Sequence, residues 1–301
     1  MSNNLPNFLV VGAAKSGTSS LHNYLNQHPE IFMPSFRDGV NVKEPQFFVR
    51  ESVMDRLHSG IWNWQDYKDL FFQVKDEKAI GEASVFYLYY FEEAINNIKK
   101  YLGDQIKIII ILRNPIDRAY SAYQHVSRSM KEELSFEEAL DSEKERLIKD
   151  TNITPMIRYY DMGLYYNMVQ AYMQNFNNVH LILHDDFLES TEEEIKKVFN
   201  FLGVKDSVKV NTKRKYNVGG LSWKSKTMKS FLLNNNIVKR IIKKLVTKKI
   251  RKTIWKRIII LFTSKTPRMK HLTRKTLIMK YKNDIVKLSN LINRDLTRWL
   301  N

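Results

Sequence analysis

The chain has 301 residues, 43% of them hydrophobic and 27% charged, which is enough apolar material for one large α/β core. It contains no cysteine, so a disulfide scaffold, a thiolate zinc site, an iron–sulfur cluster and a cysteine nucleophile are all excluded. The net charge of +17 is concentrated in one stretch: 24 of the 49 Lys and Arg fall between Ser207 and Asn283, where no Asp or Glu occurs, and the other 25 face 32 acidic residues.

In chain order, FLVVG (8–12) predicts a first strand that runs directly into GAAKSGTSSL (12–21), with a helical pattern over 18–27. KAIGEAS (78–84) predicts a second strand, followed by a helix over 90–102 that stops at Gly103. IKIIIIL (106–112) is apolar without interruption after Lys107 and rich in β-branched isoleucine, as expected of a strand buried on both faces of a parallel sheet. Helices are expected over 117–130, 135–149, 163–176 and 191–202, with NVHLILH (178–184) as a fourth strand. Ser135 with Glu138, and Thr191 with Glu194, have capping-box spacing, and Gly203 sits where a helix should stop. Strands alternating with helices predict a three-layer α/β, P-loop-like fold, with a central parallel sheet flanked by helices.

The chain is read as a single domain. Residues 1–206 form the α/β body, 207–283 a basic and mostly helical segment, and 284–301 a C-terminal helix. In that last helix Ile285, Leu288, Leu291, Ile292, Leu296 and Trp299 form an apolar face that packs on the body. No basic leader with an apolar stretch opens the sequence and no window reaches ~18 apolar residues, so a cytoplasmic protein is expected. Peripheral contact at the inner membrane surface through 231–262 is an alternative for the basic segment, whose lysines flank an apolar stripe. An anionic acceptor and an ordinary solvated face are the other readings; no zinc finger or RNA-reading motif supports a nucleic-acid partner.

The turn after the first strand has glycines at 12 and 17, Lys15 within it, and hydroxyls at Thr18, Ser19 and Ser20. A strand, tight turn and helix start in that order favour a phosphate, although the same residues also build ordinary corners. A nucleotide triphosphatase loop places lysine directly after the second glycine, where Thr18 stands. The buried strand ends in Arg113 rather than in an acidic magnesium ligand, so a P-loop kinase is the weaker alternative. Arg113 and Ser121, in RNPIDRAYSAYQH (113–125), make a second phosphate constellation at a strand end, unless Arg113 merely pairs with Asp117. TKRKYNVGG (212–220) joins three cations to a turn, either to wrap a nucleotide or as a lysine-rich surface loop.

Together these residues resemble the sulfotransferase family that uses 3′-phosphoadenosine 5′-phosphosulfate (PAPS). KSGTSSL (15–21) is similar to its 5′-phosphosulfate loop and RNPIDRAYS (113–121) to its 3′-phosphate motif. HPEIFM (28–33) with KEPQFF (43–48) resembles the base-bearing segment of the carbohydrate and heparan sulfate enzymes, and GEASVFYL, HLILHDDFLES, VFNFLGV and INRDLTRWL extend the likeness along the chain. The resemblance implies that Lys15, Ser16, Gly17, Thr18 and Ser19 hold the 5′-phosphosulfate of PAPS. Arg113 and Ser121 would hold its 3′-phosphate, and Arg214, Lys215, Asn217 and Gly219 would close over the adenine or 3′-phosphate side. The sequence departs from the family pattern at Gln46, where a histidine is common, and at Ala83 after Glu82, where several members have lysine.

Sulfuryl transfer requires a proton to leave the acceptor, in-line positioning, and neutralisation of the leaving phosphate. Glu44 is the expected general base, with Phe47 and Phe48 expected to desolvate it, and Lys15 the expected stabiliser of the leaving phosphate. His125 is the runner-up base, and the seven histidines show no metal spacing, so no metal is expected. The expected function is transfer from PAPS to an acceptor hydroxyl, on a glycan in the first place. A small-molecule or lipid hydroxyl is an alternative, as is a non-catalytic protein that binds polyanions or membrane.

Overall fold

A run of β-branched residues with no polar side to offer solvent must lie inside a sheet covered on both faces. The structure, a computed structural model, describes residues 4–37, 40–128, 132–150, 152–213, 221–225, 261–265 and 267–301. The first half contains β1 (Phe8–Gly12), α1 (Thr18–Leu25), β2 (Ile31–Phe32), β3 (Phe36–Arg37), β4 (Val40–Asn41), α2 (Arg50–Val53), α3 (Trp64–Asp69), β5 (Ala79–Ala83), α4 (Phe91–Leu102) and β6 (Lys107–Leu112). The second half contains α5 (Pro115–Arg128), α6 (Phe136–Asp141), α7 (Glu143–Lys149), α8 (Tyr165–Asn175), β7 (Val179–Leu183), α9 (His184–Glu189), α10 (Thr191–Leu202), β8 (Leu221–Trp223), β9 (Thr263–Lys265) and α11 (His271–Ile292).

The central sheet has the order β2-β5-β1-β6-β7, and every neighbouring pair is parallel. Alternate side chains of β6 enter different cores. Ile108, Ile110 and Leu112 pack with Leu9 and Val11 beneath α4, α5, α8 and α11, whereas Ile109 and Ile111 pack with Phe8 and Val10 beneath α1 and α10. Three-layer α/β architecture follows directly. β1 and β5 approach closely because Gly81 has no side chain: a Cβ there would lie 2.4 Å from the Phe8 ring. The chain leaves β1 toward β5 and later returns to β6 on the other side of β1, so the strand ends there form a topological switch point, where open α/β sheets bind ligands.

Several expected boundaries shift for identifiable reasons. The 135–149 segment breaks at Ser142 into α6 and α7, while its Ser135–Glu138 capping box forms as expected. The second capping box does not form: Thr191 is already helical and donates its hydroxyl back to the Phe187 carbonyl at 2.7 Å. α8 has no cap from Leu164, the residue preceding it. Instead Asp284, on α11, accepts the backbone N–H groups of Tyr165 and Tyr166 at 2.8 and 3.3 Å, and its burial pushes its pKa up to about 6. The C-terminal helix begins at His271 rather than near 284 and ends at Asn293 in the left-handed conformation. Leu296 and Trp299 then fold back as a buried turn, pinned by Trp299 Nε1 to Asp185 at 2.9 Å.

Candidate active site

The turn after β1 closes with Lys15 at φ 70° and Gly17 at φ 102°, both left-handed. For Lys15 this is a strained conformation that the surrounding packing must enforce. Gly17 meets the condition without strain and also admits His184 across the cleft, since a Cβ there would stand 3.3 Å from the His184 ring. α1 follows at once, so its first N–H groups, which lack intrahelical acceptors, open at the loop. Arg113, the residue after β6, donates from Nη1 to the Lys15 carbonyl at 3.2 Å and ties the two strand ends together.

Lys15, Gly17, Thr18, Ser19, Glu44, Arg113, Ser121, His125 and His184 line one cleft of about 420 Å³. Ser16 is fully buried beneath it. Among the described residues no carboxylate lies within ion-pair distance of Lys15 or Arg113. Burial pulls the Lys15 pKa down to about 8, with Arg128 and Arg113 adding to the effect. Burial likewise lowers Arg113, with Asp117 opposing it from a distance. Asp117 does not pair with Arg113; it is engaged by Arg274 of α11 at 2.8 Å. The site thus concentrates positive charge in a partly desolvated pocket and invites an anion. His184 is held neutral, its pKa lowered to about 4 by burial and by Arg113. Partial desolvation and the facing Lys15 and Arg128 lower His125 as well.

Glu44 enters from the segment between β4 and α2. Its carboxylate accepts Lys43 Nζ at 2.7 Å and Gln46 Nε2 at 3.2 Å. Phe47 and Phe48 do not surround it. They turn into the core, where Phe47 stacks on Tyr67 at 4.9 Å and Phe48 lies 5.4 Å from Tyr87. This overturns the expected desolvation of Glu44 by those rings: the backbone reverses at Gln46, φ 59°, and places them inward. Beneath this turn lies a second carboxylate, Glu82, fully buried at the end of β5, with its pKa pushed up to about 7 by burial.

Arg214, Lys215, Asn217 and Gly219 lie outside the described residues, as does 226–260 with most of the apolar stripe. The start of that third cluster does reach the cleft: Thr212 lines it, and Tyr24 donates to the Thr212 carbonyl at 3.0 Å. Sequence reasoning missed His184, Arg128 and Glu82 as parts of the site. Arg128 lies seven residues after Ser121 on one helix face, and Glu82 is a carboxylate inside an apolar strand; both were visible as patterns. Among the described residues no cluster of His, Asp or Glu could hold a metal ion, and no helix is long and apolar enough to cross a membrane. A larger groove of about 720 Å³ beside Phe36 and Phe72 has Asp69 as the one charged residue among the described lining.

Comparison with known proteins places this geometry in context. A family model described as sulfotransferase domain matches residues 5–285. The crystal structure of a sulfotransferase from Alicyclobacillus acidocaldarius superposes with a TM-score of 0.73 at 30% identity, over 99% of this chain and 100% of that one. The human bifunctional heparan sulfate N-deacetylase/N-sulfotransferase 2 is 38% identical over 124 residues, 40% of this chain and 13% of that protein. The corresponding enzyme 1 of Xenopus tropicalis is 26% identical over 223 residues, 67% of this chain and 23% of that protein. The chain therefore spans a minor part of the length of these curated relatives.

Proposed function

The chain belongs to the sulfotransferase domain family, and from that premise we propose that it transfers a sulfuryl group from PAPS to a carbohydrate hydroxyl. The observation that carries this reading is the meeting in one cleft of two partly buried cations, Lys15 and Arg113, that form no ion pair among the described residues, with a carboxylate, Glu44. A lysine drawn down to about 8 by burial and neighbouring arginines fits a site that a multiply charged anion completes. Lys15 and the Ser16–Ser19 turn hold the 5′-phosphosulfate; Arg113 and Ser121 hold the 3′-phosphate. Arg214, Lys215, Asn217 and Gly219 close over the adenine or 3′-phosphate side. Bound PAPS supplies the sulfuryl group and a phosphate leaving group.

Glu44 accepts the proton of the acceptor hydroxyl, a role in which a positioned base contributes roughly 10²–10⁴-fold. Lys15 neutralises charge on the departing phosphate, and its partial burial weakens the solvent screening of that charge. The carbohydrate acceptor is supported by the likeness to the heparan sulfate enzymes. The same likeness favours a second acceptor, a glucosamine amino group, which also needs a base to remove its proton. The basic 207–283 stretch suits an anionic polysaccharide in either case.

Calorimetric titration with adenosine 3′,5′-bisphosphate beside ADP and ATP tests the donor. Tight binding of the bisphosphate alone is expected, and preference for ATP would sink the proposal. Transfer from labelled PAPS to heparosan and to its N-deacetylated form then separates hydroxyl from amine: label on both indicates hydroxyl, label on the second alone indicates amine.

A further inference from the structure

We propose that Glu82 is the positioning residue for Glu44, holding from within the core the turn that presents the base to the cleft; this rests on the reading of Glu44 as the base. Glu82 is paired with Leu9 in the β1–β5 register, so it lies one strand from the Lys15 loop, and it has no solvent exposure. Among the described residues no lysine or arginine forms an ion pair with it. A leucine would fill its volume without the penalty of burying a carboxyl group, so packing alone does not account for it.

Hydroxyl groups surround it instead. Ser84 Oγ donates to Oε2 at 2.9 Å and Tyr67 Oη donates to Oε1 at 3.4 Å, and Tyr87 lies near enough for the Glu82 charge to push its pKa up further. In its ionised form Glu82 only accepts, so the Ser84 and Tyr67 protons turn inward and leave their lone pairs facing outward. Two of those oxygens receive backbone N–H groups from the 46–48 turn: Gln46 to Ser84 Oγ at 3.0 Å and Phe48 to Tyr87 Oη at 3.4 Å. Gln46 is held at φ 59°, a conformation a non-glycine residue keeps only when its surroundings demand it, and from there its amide reaches Glu44. One buried carboxyl group thus orients the Ser84 hydroxyl and neighbours that of Tyr87, the two hydroxyls anchor the single 46–48 turn, and the turn aims the base.

Hydrogen exchange and kinetics on the full-length protein test this. In Glu82→Gln the new amide must donate to one of the hydroxyls, which then turns its proton away from position 82 and shares its lone pairs between that amide and the backbone N–H, weakening the latter bond. Exchange at the Gln46 and Phe48 amides should rise about tenfold, with β1 and β6 unchanged. Turnover should fall about tenfold, with the KM for PAPS within about twofold. In a Glu44→Gln background the same change should cost nothing further, because a misaimed base that is already absent cannot be lost again. Unaltered exchange at 46 and 48, or losses from Glu44→Gln and Glu82→Gln that multiply, would overturn the proposal. If Glu82→Gln does not fold, Ser84→Ala removes the link between Glu82 and the Gln46 amide, with the carboxyl group left in place, and carries the same expectation for that amide. Absence of turnover in the unsubstituted protein would count against the base reading itself, while the exchange result would still decide whether Glu82 holds the turn.

Discussion

On the Lys15 side of the cleft, Lys15 and Arg113 are partly buried cations with no ion-paired carboxylate among the described residues, and Arg113 donates a hydrogen bond to the Lys15 carbonyl. In the 43–48 segment the opposite holds: Glu44 is already engaged by a lysine and an amide, and the turn behind it is anchored to a buried carboxylate through hydroxyls. Under the proposed function, the anionic donor supplies the charge that the first region lacks. The second is finished without ligand, so the reacting group is held still before the acceptor arrives. The proposal thus assigns binding energy and chemical positioning to different stretches of chain, which separate substitutions can break.

The sharpest break is Glu44→Gln. Turnover should fall by about 10²–10⁴-fold while affinity for adenosine 3′,5′-bisphosphate stays within about twofold, as read by kinetics and calorimetry. A parallel loss of affinity would erase the division between the two regions. Arg113→Ala should do the reverse, weakening bisphosphate affinity about 100-fold, because it removes one charged partner from a desolvated site.

The pH dependence is a milder test of the Lys15 side. Lys15 titrates near 8 in the free protein, and a bound anion favours its charged form. Raising the pH through 8 removes that charge from the free protein, so affinity for the bisphosphate should fall about tenfold between pH 7 and 9. Calorimetry at pH 8 in buffers of different ionisation enthalpy should show proton uptake on binding. The smallest effect is expected from Gly17→Ala. It forces a side chain into φ 102° and against His184, lowering stability by about 1 kcal/mol in thermal unfolding and weakening bisphosphate binding several-fold.

Much of the Lys15 side was legible before any coordinates. Its signals are local: a strand, a turn with Lys15 and Gly17, and a second strand ending in Arg113. Backbone geometry places such residues at the same sheet edge whenever the strands are parallel neighbours. The Glu44 side was legible only as a type of segment. Its aromatic pair suggested desolvation of the carboxylate, yet the left-handed Gln46 sends both rings into the core. Asp117 looked like a partner for Arg113 at four residues' distance, but Arg274, far along the chain, engages it instead.

By itself, then, the sequence determined what depends on short-range pattern: the four main strands, a β6 buried on both faces, the helix stops at Gly103 and Gly203, and the turn that carries Lys15 and Gly17. Only the tertiary structure decided which charges stay unpaired, that α8 is capped by Asp284 from another helix, and that Glu82 lies beneath the base. The reason is physical. Periodicity and turn chemistry are properties of a few consecutive residues, whereas pairing and desolvation depend on groups brought together from distant parts of the chain.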